Sequence, residues 1–335
     1  LSCYSLKKMF KRILISNPIR KKIKMVKKII IDCDPGIDDA IAILLAIADP
    51  EIKLMGITTI AGNISVDKTF KNARKITELA GKSDIPVFKG TSRPLMFAAG
   101  KTTMVHGVNG LGGIELPEPV QGDSGYHAVD FIIKTVMENP GEIIICPIGP
   151  LTNIALALIK EPALADNIKD IVLMGGAAFC PGNITAYAEF NFYVDPHAAH
   201  IVFDTARHVT MLGLDVTEKV DIRKGLCNIL ETGNHVAQIS ASMSRVYAMK
   251  DPYLHDPCAI AYVINPGLFS GIKGSIEIDY TSKEKYGQCF ARTEKELVNE
   301  NAIISNERPL YNVNIILDVD SKALLELISS NIMSF

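Results

Sequence analysis

The sequence predicts an α/β fold: an open, mostly parallel, Rossmann-like sheet flanked by helices, with a smaller helical subregion in the C-terminal third. From Lys28 onward, short β-branched runs alternate with helical patterns. Gly and Pro residues mark the ends of the apolar runs, and no long Pro/Gly/Ser linker divides the chain.

Taken in order, strands are expected near Lys28–Cys33, Lys53–Thr59, Glu142–Pro147, Asp170–Met174 and Val209–Gly213. Helices are expected near Asp38–Ala48, Val66–Ala80, Tyr126–Asn139, Leu151–Lys160 and Pro196–Asp204. The last third is less regular, with helical segments near Gly233–Tyr247 and Asp256–Ile264, strands near Gly274–Tyr280 and Tyr311–Leu317, and a C-terminal helix. Four strand exits carry turn residues: Asp34-Pro35-Gly36, Ala61-Gly62-Asn63, Ile148-Gly149-Pro150 and Gly175-Gly176. Ligands of open α/β sheets bind outside the carboxyl ends of the strands, so these four loops are expected to converge on one pocket.

At 335 residues, 48% hydrophobic and 21% charged, the chain is long enough to bury a large core. Its longest apolar stretch, Ala40 to Ala48, stops at Asp49-Pro50, well short of the roughly 18 residues a membrane span needs. The seven cysteines (3, 33, 146, 180, 227, 258 and 289) are odd in number, scattered and free of any C-x-x-C pair. That pattern opposes a disulfide framework or structural zinc and fits a reducing cytoplasm, where the protein is expected to lie with no membrane or nucleic-acid partner.

The net charge of −2 hides an asymmetry, because residues 1–28 hold ten Lys or Arg and no acid, leaving 25 basic against 37 acidic residues, or −12, for the rest. The arm lacks the apolar core and cleavage site of a secretion signal. Residues 1–26 are therefore expected to be a basic, disordered extension, and residues 27–335 a single catalytic domain.

The chemistry begins at Asp32-Cys33-Asp34-Pro35-Gly36-Ile37-Asp38-Asp39, where four aspartates fall within eight residues just after the apolar Ile29-Ile30-Ile31. Asp-Pro-Gly is a good turn, and Asp38 and Asp39 suit a helix N-terminus, but capping accounts for one or two acids rather than four. Clustered carboxylates repel one another, and a divalent cation among them removes that cost. All-oxygen donors favour calcium or magnesium over zinc.

This cluster resembles the N-terminal fingerprint of the inosine-uridine preferring nucleoside hydrolases. Five further segments match that family in order: Thr59-Ile60-Ala61-Gly62-Asn63; His106-Gly107 with Gly110-Leu111-Gly112; Gly149-Pro150-Leu151-Thr152-Asn153; Glu189-Phe190-Asn191 followed by Asp195-Pro196; and His255-Asp256-Pro257. The resemblance implies hydrolysis of the N-glycosidic bond of ribonucleosides to free base and ribose, in nucleoside salvage, by a calcium-dependent homodimer or homotetramer. One Ca2+ per subunit would be held by Asp34, Asp39, the Ile148 carbonyl and Asp256.

By the same resemblance, Asp34 would also activate the attacking water on calcium, and an oxocarbenium-like ribosyl transition state would follow. Asp38 would take the ribose 2′-hydroxyl and Asp256 the 3′-hydroxyl, with Asn63, Asn183, Glu189 and Asn191 completing the ribose cradle. His255 would protonate the departing base, and His106 would line the base side. The segment from Ser244 to Tyr253 departs from the family pattern, being shorter than in members that contact the base with an aromatic and a basic residue; Tyr247, Lys250 and Tyr253 are the candidates.

Two other functions compete. Asp32-Cys33-Asp34 meets the D-x-D spacing of haloacid dehalogenase-type magnesium phosphohydrolases, but Pro35-Gly36 stands where those enzymes place Thr or Val after the second Asp. A non-catalytic nucleoside- or ribose-binding protein would need neither Asp34 as base nor His255 as acid.

Overall fold

The computed structural model describes residues 26–97, 105–120, 122, 125–294, 296 and 311–335. All of the expected basic extension except Val26 lies outside the described residues. The strands are β1 (Lys27–Cys33), β2 (Ile52–Thr59), β3 (Val87–Lys89), β4 (Ile143–Pro147), β5 (Asp170–Met174), β6 (Val209–Leu212), β7 (Phe269–Ile278), β8 (Cys289–Thr293) and β9 (Val313–Val319). They form one nine-stranded sheet in the order β3-β2-β1-β4-β5-β6-β9-β7-β8.

Pairing is parallel from β3 across to β9, and the last two pairings at the far edge, β9 with β7 and β7 with β8, are antiparallel, so that β7 alone runs against the rest. The mostly parallel α/β fold expected from the sequence is thus the one observed. Neither β3 nor β8 was among the expected strands. β3 pairs with β2 over only Val87, Phe88 and Lys89, and β8 exists as the second arm of a hairpin with β7.

The helices are α1 (Ile37–Ala48), α2 (Val66–Leu79), α3 (Ala128–Glu138), α4 (Thr152–Lys160), α5 (Leu164–Asn167), α6 (Phe190–Val194), α7 (Pro196–Thr205), α8 (Leu214–Thr217), α9 (Leu226–Glu231), α10 (His235–Ala248), α11 (Asp256–Ile264) and α12 (Ser321–Ile332). They cover both faces of the sheet. Ile29 and Ile31 of β1 pack with α1, α2, α10, α11 and α12, whereas Ile30 between them packs with α3, α4, α5 and α7. Three consecutive isoleucines are thus a two-sided strand: side chains alternate across the sheet, and both sides are dry. The smaller helical subregion comprises α9 and α10 beside α1.

α1 is apolar almost all round because β2, α2, α10, α11 and α12 enclose it; even its first-turn Asp38 and Asp39 are buried. The chain runs outward from β1 through β2 to β3, then returns to β4 on the other side of β1. This makes the β1/β4 boundary the topological switch point, and Asp34 and Ile148 leave the sheet there side by side.

No described helix is long and apolar enough to cross a membrane. Cys33, Cys146, Cys180, Cys227, Cys258 and Cys289 are all free thiols.

Candidate active site

At the carboxyl ends of β1, β2, β4 and β5 lies a cleft of about 260 Å3. That is near the lower end of the range of about 300–1,000 Å3 usual for small-molecule sites, so it fits one compact ligand. Asp38, Asn63, His106, Ile148, Asn183, Glu189, Asn191, His255 and Asp256 all line it. Tyr247 and Lys250 line it as well, but Tyr253 is not among its lining residues and instead bridges to Asp221.

Asp34 and Asp39 sit just behind this lining and tie the strand exits together. The Asp34 Oδ2 accepts the backbone N–H of Asn63 at 2.6 Å, and Asp39 accepts the backbone N–H groups of Asp34 at 3.2 Å and Gly36 at 2.8 Å. The Asn63 side-chain amide spans both, donating to the Asp34 carbonyl and to Asp39 Oδ2. Glycine is required where the Asp34 carboxylate lies: a Cβ on Gly62 would stand 2.1 Å from Asp34 Oδ2, and one on Gly149 would stand 2.4 Å from Oδ1.

The substitution Gly62→Ala should accordingly displace the carboxylate and lower kcat by about 10²-fold, the cost typical of a roughly 1 Å misplacement. A thermal melt run alongside the kinetics should show a far smaller change in stability.

Carboxylate oxygens of Asp38, Asp39 and Asp256 lie within 4.8 Å of one another, all buried. Burial and then the charge of Asp38 push Asp39 up to about 7. Burial, reinforced by Asp39 for Asp34 and by Asp38 for Asp256, raises both of those groups well above the usual carboxylate range. Asp38 Oδ1 is buried without a hydrogen-bond partner, while its Oδ2 accepts the Tyr247 hydroxyl at 3.2 Å. Four buried acids, one with an orphaned oxygen, are the donor set a hard divalent cation satisfies. The site therefore fits a metal ion. Its tightest trio contains Asp38 where the sequence expectation had Asp34, and Asp34 adjoins it through Asp39.

Asp32 lies behind the cluster. Its Oδ1 accepts from Thr58 at 2.5 Å, directly across the β1–β2 ladder, and from Asn153 at 2.8 Å; burial, only partly offset by these bonds, raises it to about 7.

The residues expected to form the ribose cradle are held by backbone groups. Glu189 caps α6, accepting the N–H groups of Gly176, Asn191 and Phe192, and burial nevertheless raises its pKa. The Asn191 amide donates to the Ile148 and Met174 carbonyls at 3.1 and 3.3 Å, joining the exits of β4 and β5. Asn183 Oδ1 accepts the Phe190 N–H at 2.9 Å.

The two histidines differ in state. His106 Nδ1 accepts the Ile37 N–H at 3.1 Å, which leaves its proton on Nε2, and burial lowers its pKa despite the Asp38 charge nearby. Its ring stacks on Tyr247 at 5.5 Å between centroids. For His255, burial opposes the charge, but Asp251, followed by Asp38 and Glu189, outweighs it and raises the pKa. Thr217 and Asp251, which contact His255, had no part in the sequence expectation. Thr217 lies 38 residues away, so no local spacing could reveal it.

A cleft at the switch point of a doubly covered α/β sheet, floored by carboxylates fit for a hard metal and walled by amides and histidines, marks an α/β protein built to take a small polar ligand beside a metal-competent carboxylate group. The family model described as "Inosine-uridine preferring nucleoside hydrolase" matches residues 29–326. An inosine-uridine preferring nucleoside hydrolase of Leishmania major is 42% identical over 76% of this chain and 84% of its own length. A pyrimidine-specific ribonucleoside hydrolase of Photobacterium profundum is 38% identical over 93% of this chain and 100% of its own. The solved structure of a plant nucleoside hydrolase superposes with a TM-score of 0.85 at 30% identity, covering 92% of this chain and 99% of the plant chain.

The chain belongs to the inosine-uridine preferring nucleoside hydrolase family. It is an enzyme that hydrolyses the N-glycosidic bond of ribonucleosides. Membership sets aside both the phosphohydrolase and the pure binding protein.

Proposed function

We propose that residues 27–335 act as one catalytic unit that cleaves inosine and uridine at this cleft, with calcium as the metal, Asp34 as general base and His255 as leaving-group acid. The buried carboxylate group is the observation that carries this. Asp34, Asp39, Asp256 and the Ile148 carbonyl would hold the ion. Bound there, calcium would lower the pKa of water and neutralise the acids around it.

The chain's own residues do the rest. Asp34, fixed by the Asn63 N–H and enclosed by Gly62 and Gly149, takes a proton from water as the oxygen approaches C1′. The carboxylates beneath the sugar stabilise the positive charge that develops on the ribosyl ring. Asp38 and Asp256 accept the 2′- and 3′-hydroxyls, and Asn63, Asn183 and Asn191 supply further polar contacts, with Glu189 holding Asn191 in place. Val105, His106, Ile184, Tyr247 and Lys250 also line the cleft and are the side chains offered to the base.

His255, whose pKa stands above the ordinary histidine value, gives the departing base its proton. The variant His255→Ala is expected to reduce kcat for inosine by about 10²-fold and for uridine by less, since general acids contribute about 10²–10⁴-fold. Parallel steady-state assays on the two nucleosides decide this; equal losses would remove His255 from the leaving-group role.

A further inference from the structure

We propose that Asp251 is a positioning residue for the leaving-group acid: from within the cleft it holds the His255 ring by Nε2 while Thr217 holds Nδ1, fixing the imidazole in the orientation from which it acts. The proposal rests on the assignment of His255 as that acid.

Asp251 and His255 both line the cleft beside Tyr247 and Lys250. His255 is clamped at both nitrogens, with Nδ1 2.7 Å from Thr217 Oγ1 at the end of α8 and Nε2 3.2 Å from Asp251 Oδ2. An ionised carboxylate only accepts, so Nε2 carries a hydrogen; a hydroxyl both donates and accepts, so Thr217 tolerates Nδ1 in either state. Asp251 and Thr217 together therefore fix the plane and the facing of the ring, as the hydrogen-bond partners of a functional imidazole do.

The carboxylate is itself held in place. Its Oδ1 accepts the Tyr253 N–H at 3.0 Å, and its own N–H donates to the Tyr247 carbonyl at 2.9 Å in the turn that ends α10. Pro252 then prevents the helix from continuing. The segment is strapped across the 220–222 stretch, with Ile222 N–H donating to the Pro252 carbonyl and Leu254 N–H to the Val220 carbonyl, each at 2.9 Å. This doubling back brings Asp251 and His255, four residues apart but on no common helix, face to face.

In the reaction the C1′–N bond breaks and its electron pair goes to the base. The protonated imidazole gives its Nε2 proton to the base in exchange for the bond to Asp251 and becomes neutral, with Nδ1–H retained against Thr217. The attacking water bonds to C1′ and loses its proton to Asp34, which balances the step. Without Asp251 the ring can turn away from the base, and only substrates that need its proton suffer.

The test compares inosine with 4-nitrophenyl β-ribofuranoside, whose nitrophenolate leaves without protonation, using the full chain loaded with calcium. In Asp251→Ala, and in the isosteric Asp251→Asn, kcat for inosine should fall about 10- to 100-fold with KM within about 3-fold, while the nitrophenyl riboside stays within about 3-fold. His255→Ala should show the same split. The double variant Asp251→Ala/His255→Ala should be no slower on inosine than His255→Ala alone, since the two act as one unit. Melting temperatures of every variant separate misfolding from loss of function, and Asp251→Asn carries the test if the alanine variant fails to fold. Equal loss on both substrates, or losses that multiply in the double variant, would overturn the proposal. If His255→Ala loses the inosine reaction selectively but neither Asp251 variant does, the positioning claim alone falls; if His255→Ala leaves inosine untouched, the acid assignment falls with it.

Discussion

Replacement of Asp34 by Ala or Asn should abolish measurable turnover, a loss of at least about 10³-fold, the scale of a missing general base. Stability should move the other way in metal-free protein. Asp34 is buried and pushed up first by burial and then by the charge of Asp39, so its removal relieves repulsion. Asp34→Asn also keeps an oxygen able to accept the Asn63 N–H, so the strand exits stay joined. Chelator-treated Asp34→Asn should therefore melt at or above the wild-type temperature while its kcat falls to background. A variant that retains wild-type kcat would remove Asp34 from the role of base.

Chelation should have an effect of the same size on activity. With the metal stripped, nucleoside hydrolysis should drop to the uncatalysed background and return on addition of calcium. The same experiment carries a pH signature. Asp32 and Asp39 have folded-state values of about 7, above the unfolded carboxylate range of about 4. Groups raised on folding bind protons more tightly in the native state, so their stabilising contribution is complete below about pH 4 and is lost as pH rises through 7. Metal-free protein should lose stability from pH 5 to pH 8. Calcium competes with those protons, so the rise in melting temperature on adding it should be larger at pH 8 than at pH 5. A rise independent of pH, or larger at pH 5, would show that the ion binds elsewhere.

Much of the parallel half of the fold is legible in the sequence because its signals are local. Ile29-Ile30-Ile31 demands two dry faces, and the glycines and prolines at 35–36, 62 and 149–150 mark where the chain must leave the sheet. The Asp cluster is legible for the same reason, since four acids in eight residues have few structural uses. β3 is invisible because three residues, Val87, Phe88 and Lys89, carry no periodicity, and β8 because its pairing with β7 supplies what its own pattern lacks.

The hidden parts of the site are those assembled across distance. Tyr247 reaches Asp38 over 209 residues and His255 meets Thr217 over 38, contacts that no spacing rule encodes. Glu189 reads from the sequence as a cleft residue, but its capping of α6 through three backbone N–H groups is visible only once α6 is seen to begin beneath it.

The central claim, that this carboxylate-floored cleft hydrolyses ribonucleosides, is tested most directly by product analysis. Inosine and uridine are incubated with the protein in phosphate-free buffer, with and without chelator, alongside a generic phosphate ester. The account predicts one free base and one free ribose per nucleoside consumed, no phosphate from the ester, and no products in chelator or with Asp34→Ala. Nucleoside binding without base release, base release only when phosphate is supplied, or phosphate release from the ester would contradict it.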